Sequence, residues 1–187
     1  MQYGLIGCGN MGGAIARGLS ESTKSVMVSD RSGKAAAMAE EWGIIYGDNA
    51  TIARECQVVF LGVKPHMMKD VLCPLRQTLA ERKPLLISMA AGLTLQTIET
   101  YVGVRLPIIR IMPNTPVAVG TGMILYVADD AVTAAQTAAF ADMMVQGTVM
   151  GITSLRTTLN ELSEDGNEEI IALLEEMINA EEDFEKK

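Results

Sequence analysis

Tyr3-Gly4-Leu5-Ile6-Gly7-Cys8-Gly9-Asn10-Met11-Gly12 decides how the rest of the chain is read. A short apolar run, Tyr3 to Ile6, leads straight into Gly7-x-Gly9-x-x-Gly12. Ala14-Ile15-Ala16-Arg17-Gly18-Leu19 then follows with helical character. Strand, glycine turn and helix in that order are what a dinucleotide-binding βαβ unit needs. Gly7 allows the tight turn, Gly9 lets backbone approach a pyrophosphate, and Gly12 lets the helix pack closely on the strand. The helix start then offers unpaired N–H groups and a positive dipole end to phosphates. The same glycines also occur in ordinary tight turns; their setting, straight after an apolar run and before a helix, favours the cofactor reading.

The chain has 187 residues, 49% of them hydrophobic, which suits one domain of about 150 residues plus an appendage. No run of 18 apolar residues exists, so no membrane span is expected, and Met1-Gln2 carries no basic signal-peptide start. Cys8, Cys56 and Cys73 have no metal-type spacing; they read as buried or incidental thiols in a reducing cytoplasm, and no metal is expected. Cys8 reads as an x position of the glycine turn rather than a redox group. The net charge of −8 is concentrated at the end of the chain, where residues 160–187 hold eleven acids and two lysines. The body is near neutral and has no basic cluster that would suggest nucleic acid.

Val26-Met27-Val28-Ser29-Asp30 reads as a second strand. Asp30 stands near where a carboxylate would accept from the adenosine ribose hydroxyls. Arg31, Ser32 and Lys34 follow at once and suit a 2′-phosphate, so NADP is favoured over NAD. The other reading is a polar loop in which Ser32 caps the next helix. That helix should span Lys34 to Trp42 and end at Gly43, with a short strand at Ile44-Ile45-Tyr46. Asp48-Asn49 then opens a turn into a brief helix around Thr51–Glu55.

Val58 to Val63 is a continuous apolar run, as in a central parallel strand. It ends in Lys64-Pro65, where Pro65 suits a first helical turn and His66 reads as a helix-start residue. Pro84 to Met89 gives a fifth strand, followed by the small residues Ala90-Ala91-Gly92. Thr94 should cap a helix through Tyr101. Pro107 to Ile111 gives a sixth strand running into Met112-Pro113-Asn114-Thr115-Pro116. The two prolines should hold an extended segment rigid and turn Asn114 and Thr115 outward. Ligands in open α/β sheets bind outside the carboxyl ends of the strands, which makes this segment the candidate nicotinamide end; a rigid proline turn is the other reading. Gly122 to Val127 and Thr148 to Ile152 read as further strands, with a helix over Val132 to Val145 between them. The fold expected is α/β: a Rossmann-type, doubly wound, mainly parallel sheet over residues 1–153, with an acidic helical tail over 154–187.

In order along the chain, Ile6-Gly7-Cys8-Gly9-Asn10-Met11-Gly12, Val63-Lys64-Pro65, Ser88-Met89-Ala90-Ala91-Gly92 and Arg110-Ile111-Met112-Pro113-Asn114-Thr115-Pro116 resemble the N-terminal domain of pyrroline-5-carboxylate reductase. The resemblance spans about residues 1–152. It implies NADPH- or NADH-dependent reduction of 1-pyrroline-5-carboxylate to proline. It also implies that Gly7, Cys8, Gly9, Asn10 and Met11 hold the pyrophosphate, with Ser29 and Arg31 at the adenosine end. Asn49, Val63, Lys64 and Pro65 would line the cofactor groove. Ala90, Ala91 and Gly92, with Met112, Pro113 and Asn114, would lie beside the nicotinamide.

The family continues into a helical domain with Ser-Gly-Ser-Gly-Pro and Ser-Pro-Gly-Gly-Thr stretches that build the dimer and much of the substrate pocket. Neither stretch occurs in these residues. Ile170, Ile171, Leu173, Leu174, Met177 and Ile178 instead follow helical spacing, with Asn167 or Ser163 as the cap. This helix is expected to pack on the sheet or to pair with its copy in a homodimer. A truncated, divergent or engineered terminus stays open beside these. No side chain reads as an acid–base catalyst, and an electrophilic imine needs chiefly orientation and exclusion of water. Two further readings stand beside the reductase: a non-catalytic NAD(P)-binding module, and a related imine or β-hydroxyacid reductase.

Overall fold

Six of the apolar runs lie side by side as parallel strands in the computed structural model, which describes residues 2–147 and 149–154. They are β1 (Tyr3–Ile6), β2 (Val26–Ser29), β3 (Ile45–Tyr46), β4 (Val58–Leu61), β5 (Leu85–Ser88) and β6 (Ile108–Pro113). Two more, β7 (Gly122–Ala128) and β8 (Val149–Ser154), complete an eight-stranded sheet in the order β3-β2-β1-β4-β5-β6-β7-β8. β7 runs antiparallel to β6, and β8 pairs parallel with β7. The doubly wound, mainly parallel expectation holds, and the chain reverses strand order between β1 and β4, where such sheets bind ligands.

Each central strand divides its side chains between two helical layers with a period of two. Leu5, Val28, Phe60, Ile87 and Ile109 face α1 (Asn10–Ser22), α2 (Lys34–Trp42) and α7 (Ala134–Gly147), meeting Ile15, Ala39 and Phe140. Ile6, Met27, Val59, Leu86 and Ile108 face the other layer. There α3 (Asn49–Glu55), α4 (Met68–Leu72), α5 (Arg76–Arg82) and α6 (Leu95–Val102) supply Ile52, Leu72, Leu79 and Ile98. Both cores are buried nearly completely. The ring edge of Tyr126 or Phe140 meets the other's face at a centroid distance of 5.4 Å and ties β7 to α7.

Local chemistry sets the boundaries. Gly43 ends α2 at φ 64°, and Thr94 Oγ1 accepts the Thr97 N–H at 3.1 Å to open α6, both as expected. Asp48 Oδ1 accepts the Thr51 N–H at 2.7 Å, so α3 begins at Asn49, earlier than the sequence suggests. Three expectations are corrected. The N-cap of α2 is Gly33, at φ 76°, rather than Ser32, whose hydroxyl accepts the Lys34 N–H only at 3.4 Å and is drawn into a turn with Asp30. α7 starts at Ala134 rather than Val132, because Thr133 and Gln136 form a reciprocal capping pair. Gln136 Oε1 accepts the Thr133 N–H at 2.9 Å, and Thr133 Oγ1 accepts the Gln136 N–H at 3.2 Å. The proline segment stays extended only to Asn114, since Thr115–Val119 closes at once into a 3₁₀ turn with Pro116 in its first turn. The acidic helical tail expected over residues 154–187 lies, beyond Ser154, outside the described residues.

No helix among the described residues is long and apolar enough to cross a membrane.

Candidate dinucleotide site

Register brings the chemistry to one edge of the sheet. Ile6 pairs with Ser29 on one side and Leu61 on the other, Leu61 pairs with Ser88, and Ser88 with Arg110. The loops that follow Ile6, Ser29, Leu61 and Ser88 therefore emerge together. β7, being antiparallel, starts at this same edge, with Ile124 opposite Pro113.

The first loop is shaped by what cannot fit. Gly7 sits at φ +96°, and a Cβ there would lie 2.8 Å from the carbonyl carbon and oxygen of Gly62. A Cβ on Gly12 or on Gly62 would overlap the carbonyl oxygen of Gly7. Three glycines thus close the turn against β4 and the start of α1. Gly9 differs: a Cβ there meets nothing within 4 Å. It occupies the N-cap of α1 with no side-chain cap, and its carbonyl accepts the Gly13 N–H at 2.7 Å. The N–H groups of the first turn therefore open beside the exposed space that a side chain on Gly9 would take, which is the form an anion site takes at a helix start. A dinucleotide pyrophosphate fits this arrangement.

Asn10 is exposed at that start, and Met11 packs partly against the core. Cys8 turns inward and is 3% exposed. Burial, reinforced by the charge of Asp30 and offset in part by a hydrogen bond from the Ser29 main chain, pushes its thiol up to about 12. A thiol held protonated is inert, so Cys8 contributes backbone to the loop.

At the end of β2, Ser29 is buried and its hydroxyl donates to Asn49 Oδ1 at 2.6 Å. Its carbonyl accepts the Gly7 N–H at 2.9 Å. Asp30 Oδ1 accepts from both the N–H and the hydroxyl of Ser32, each at 2.7 Å, an Asx turn that commits one carboxylate oxygen to the loop. Arg31 stands exposed on the same loop, and Lys34 stands exposed at the first position of α2.

Gly62 begins the third loop, followed by half-buried Val63 and exposed Lys64, whose carbonyl accepts the Met67 N–H at 2.9 Å as Pro65 enters a 3₁₀ turn. Exposed His66 belongs to that turn. In the fourth loop Ala90 is buried, and its N–H donates to Ser88 Oγ at 3.3 Å; Ala91 and Gly92 are exposed, Gly92 at φ +74°. Beyond β6, Met112 is 64% exposed. Asn114 is bound twice to Met123: its N–H donates to the Met123 carbonyl at 3.2 Å, and its Oδ1 accepts the Met123 N–H at 2.8 Å. Asn114 therefore secures the β6–β7 connection, while Thr115 is exposed beside it. The sequence-selected residues share this edge of the sheet. Gly62 and Met123 were not selected; a glycine closing a buried apolar run was the available signal for the first.

Residues 2–92 match the family model described as NADP oxidoreductase, coenzyme F420-dependent. Pyrroline-5-carboxylate reductase of Escherichia coli K12 is 37% identical over 128 residues, 65% of this chain and 47% of the relative. That of Pisum sativum is 37% identical over 122 residues, 63% of this chain and 44% of the relative. The chain spans about half the length of the curated relatives it matches. Among solved structures, a pyrroline-5-carboxylate reductase from Coxiella burnetii superimposes with a TM-score of 0.74 at 28% identity, covering 96% of this chain and 77% of that one. The Plasmodium falciparum pyrroline carboxylate reductase with NADP bound gives 0.70 at 27%, covering 96% and 68%.

Proposed function

We propose that this chain is related to the pyrroline-5-carboxylate reductases and that it binds NAD(P)H for the reduction of 1-pyrroline-5-carboxylate to L-proline, in the cytoplasm. The observation that carries the binding half is the open N-terminus of α1 beside Gly9, with Gly7, Gly12 and Gly62 closing the turn behind it. Gly7 to Met11 hold the pyrophosphate, and Ser29, Asp30 and Arg31 serve the adenosine end. Asn49, Val63, Lys64 and Pro65 line the groove. Ala90, Ala91 and Gly92, with Met112 to Thr115, border the nicotinamide. When bound, the reduced nicotinamide supplies hydride to the imine carbon. The chain's own contribution is to orient the two and exclude water.

NADP is the favoured cofactor in this reading. Asp30 has one oxygen committed to Ser32, while the exposed Arg31 and Lys34 suit a 2′-phosphate.

A second reading takes these 187 residues alone as a binding module without turnover. It is favoured by the extent of the match, which lies over the dinucleotide-binding residues and reaches 47% of the Escherichia coli relative. Fluorescence titration with NADPH and NADH, followed by addition of the pyrroline and observation of cofactor absorbance, separates the readings. Binding with turnover supports the reductase, and tight binding without turnover leaves the module. Failure to bind either cofactor overturns both.

A further inference from the structure

Ser29 places a hydroxyl at the buried end of β2. It is 3% exposed, at the end of a strand whose other residues, Val26, Met27 and Val28, are buried and apolar. A buried hydroxyl is costly unless bonded. Its single proton goes to Asn49 Oδ1 at 2.6 Å, since the Leu5 carbonyl lies farther off at 3.5 Å. Ser29 also accepts the Gly7 N–H on its own carbonyl at 2.9 Å. One residue thus joins the first glycine of the turn to the amide of Asn49, which lies 20 residues beyond Ser29 in sequence.

An amide whose oxygen is held on the buried side presents its two Nδ2 hydrogens on the opposite edge. Asn49 is half-buried, which leaves that edge accessible at the β2 side of the glycine loop. We propose that Ser29 is a positioning residue, which holds the Asn49 amide so that Nδ2 donates to the oxygen acceptors of the adenosine diphosphate half of a dinucleotide. Ser29 then acts through Asn49 rather than by touching the ligand. The inference rests on the dinucleotide reading above.

The test titrates NADPH and ADP-ribose against wild type, Ser29→Ala, Asn49→Ala, the double variant and Asn49→Asp, with a thermal melt of each. Ser29→Ala is expected to raise Kd about 10-fold for both ligands, because the contact lies in the half they share. In the Asn49→Ala background the same change should cost nothing further, whereas a merely structural Ser29 would add its full effect there. Asn49→Asp keeps an acceptor for the Ser29 hydroxyl and removes the donor; its Kd should also rise about 10-fold or more. A folded Ser29→Ala with Kd within about twofold of wild type, or an undiminished loss in the double variant, overturns the proposal. If Ser29→Ala does not fold, Asn49→Asp decides, and wild-type affinity there overturns it equally. Failure of the wild type to bind either ligand instead overturns the dinucleotide reading itself.

Discussion

Gly62 stands directly behind Gly7, so that a methyl group on Gly7 would lie 2.8 Å from the Gly62 carbonyl. The contact joins the residues that directly follow the neighbouring strands β1 and β4, at the point where the sheet changes winding direction. The glycine turn is therefore held by tertiary contact as well as by its own backbone. That separates its glycines into two kinds with opposite consequences on substitution. Gly12→Ala would drive a Cβ into the Gly7 carbonyl oxygen, and neither backbone can swing aside. The expected cost is about 3 kcal/mol or more. Gly9→Ala meets open space at an ordinary φ of −67° and should cost about 1 kcal/mol or less, the difference between glycine and alanine at a helix cap. Its methyl would fill that space, so cofactor binding should fall at least about 10-fold while the fold persists. Melts and NADPH titrations of the two variants check both halves; equal loss of stability would contradict the division.

Arg31 tests the cofactor preference. A guanidinium on a 2′-phosphate is a charge-assisted contact with a net value of about 1.5–3 kcal/mol. Arg31→Ala should therefore weaken NADPH about 10-fold or more and leave NADH within about twofold. The NADPH effect should shrink with added salt, because Arg31 is exposed. Equal weakening of both cofactors would place Arg31 away from the 2′ position.

The buried cysteines give an alkaline limit. Burial leads the shift in both: Cys8 is pushed from 9.0 to about 12, and Cys56 from 9.0 to about 11. A group whose folded pKa lies above its unfolded value stabilises the fold fully below the unfolded value. That contribution is lost as pH rises through the folded one. The loss should thus begin near pH 9 and continue toward about 12. A melt series across this range should show a falling midpoint, flattened in a Cys8→Ala variant. At neutral pH a thiol reagent should label half-buried Cys73 well before Cys8 or Cys56, checked by mass spectrometry of digested protein.

Most of the frame was legible because it depends on local periods. The β1, β2, β4 and β5 runs are short, apolar and punctuated by glycine or proline, and Gly43 and Thr94 mark helix ends by chemistry readable within four residues. The Thr133–Gln136 capping pair was equally local, and its spacing was present to be read. What escaped was contact across sequence. Gly62 matters because of Gly7, Ser29 because of Asn49, and Asn114 because of Met123. The Asn114 amide shows the effect on site assignment. The prolines suggested an outward-facing group, but its oxygen is taken by a strand that only the folded sheet brings alongside.

Asp48 supplies the acid counterpart to the cysteines and tests how α3 is held. Hydrogen bonds from Thr51, first its main-chain N–H and then its side chain, keep the carboxyl below its ordinary 3.8, with smaller help from Ala50 and the charge of Arg54. A carboxyl depressed on folding stabilises above its unfolded pKa, and that contribution is lost as pH falls through the folded value. The loss attributable to Asp48 should therefore appear below about pH 4, the ordinary carboxylate range. Asp48→Asn retains an acceptor for the Thr51 N–H but cannot titrate, so its midpoint should decline less steeply with acid than that of wild type. Asp48→Ala removes the acceptor and should lower the midpoint already at neutral pH, fraying the start of α3 where Asn49 meets Ser29. A melt series of the three proteins from neutral to acid pH decides it. Parallel curves for wild type and Asp48→Asn would show that the cap is not carried by charge.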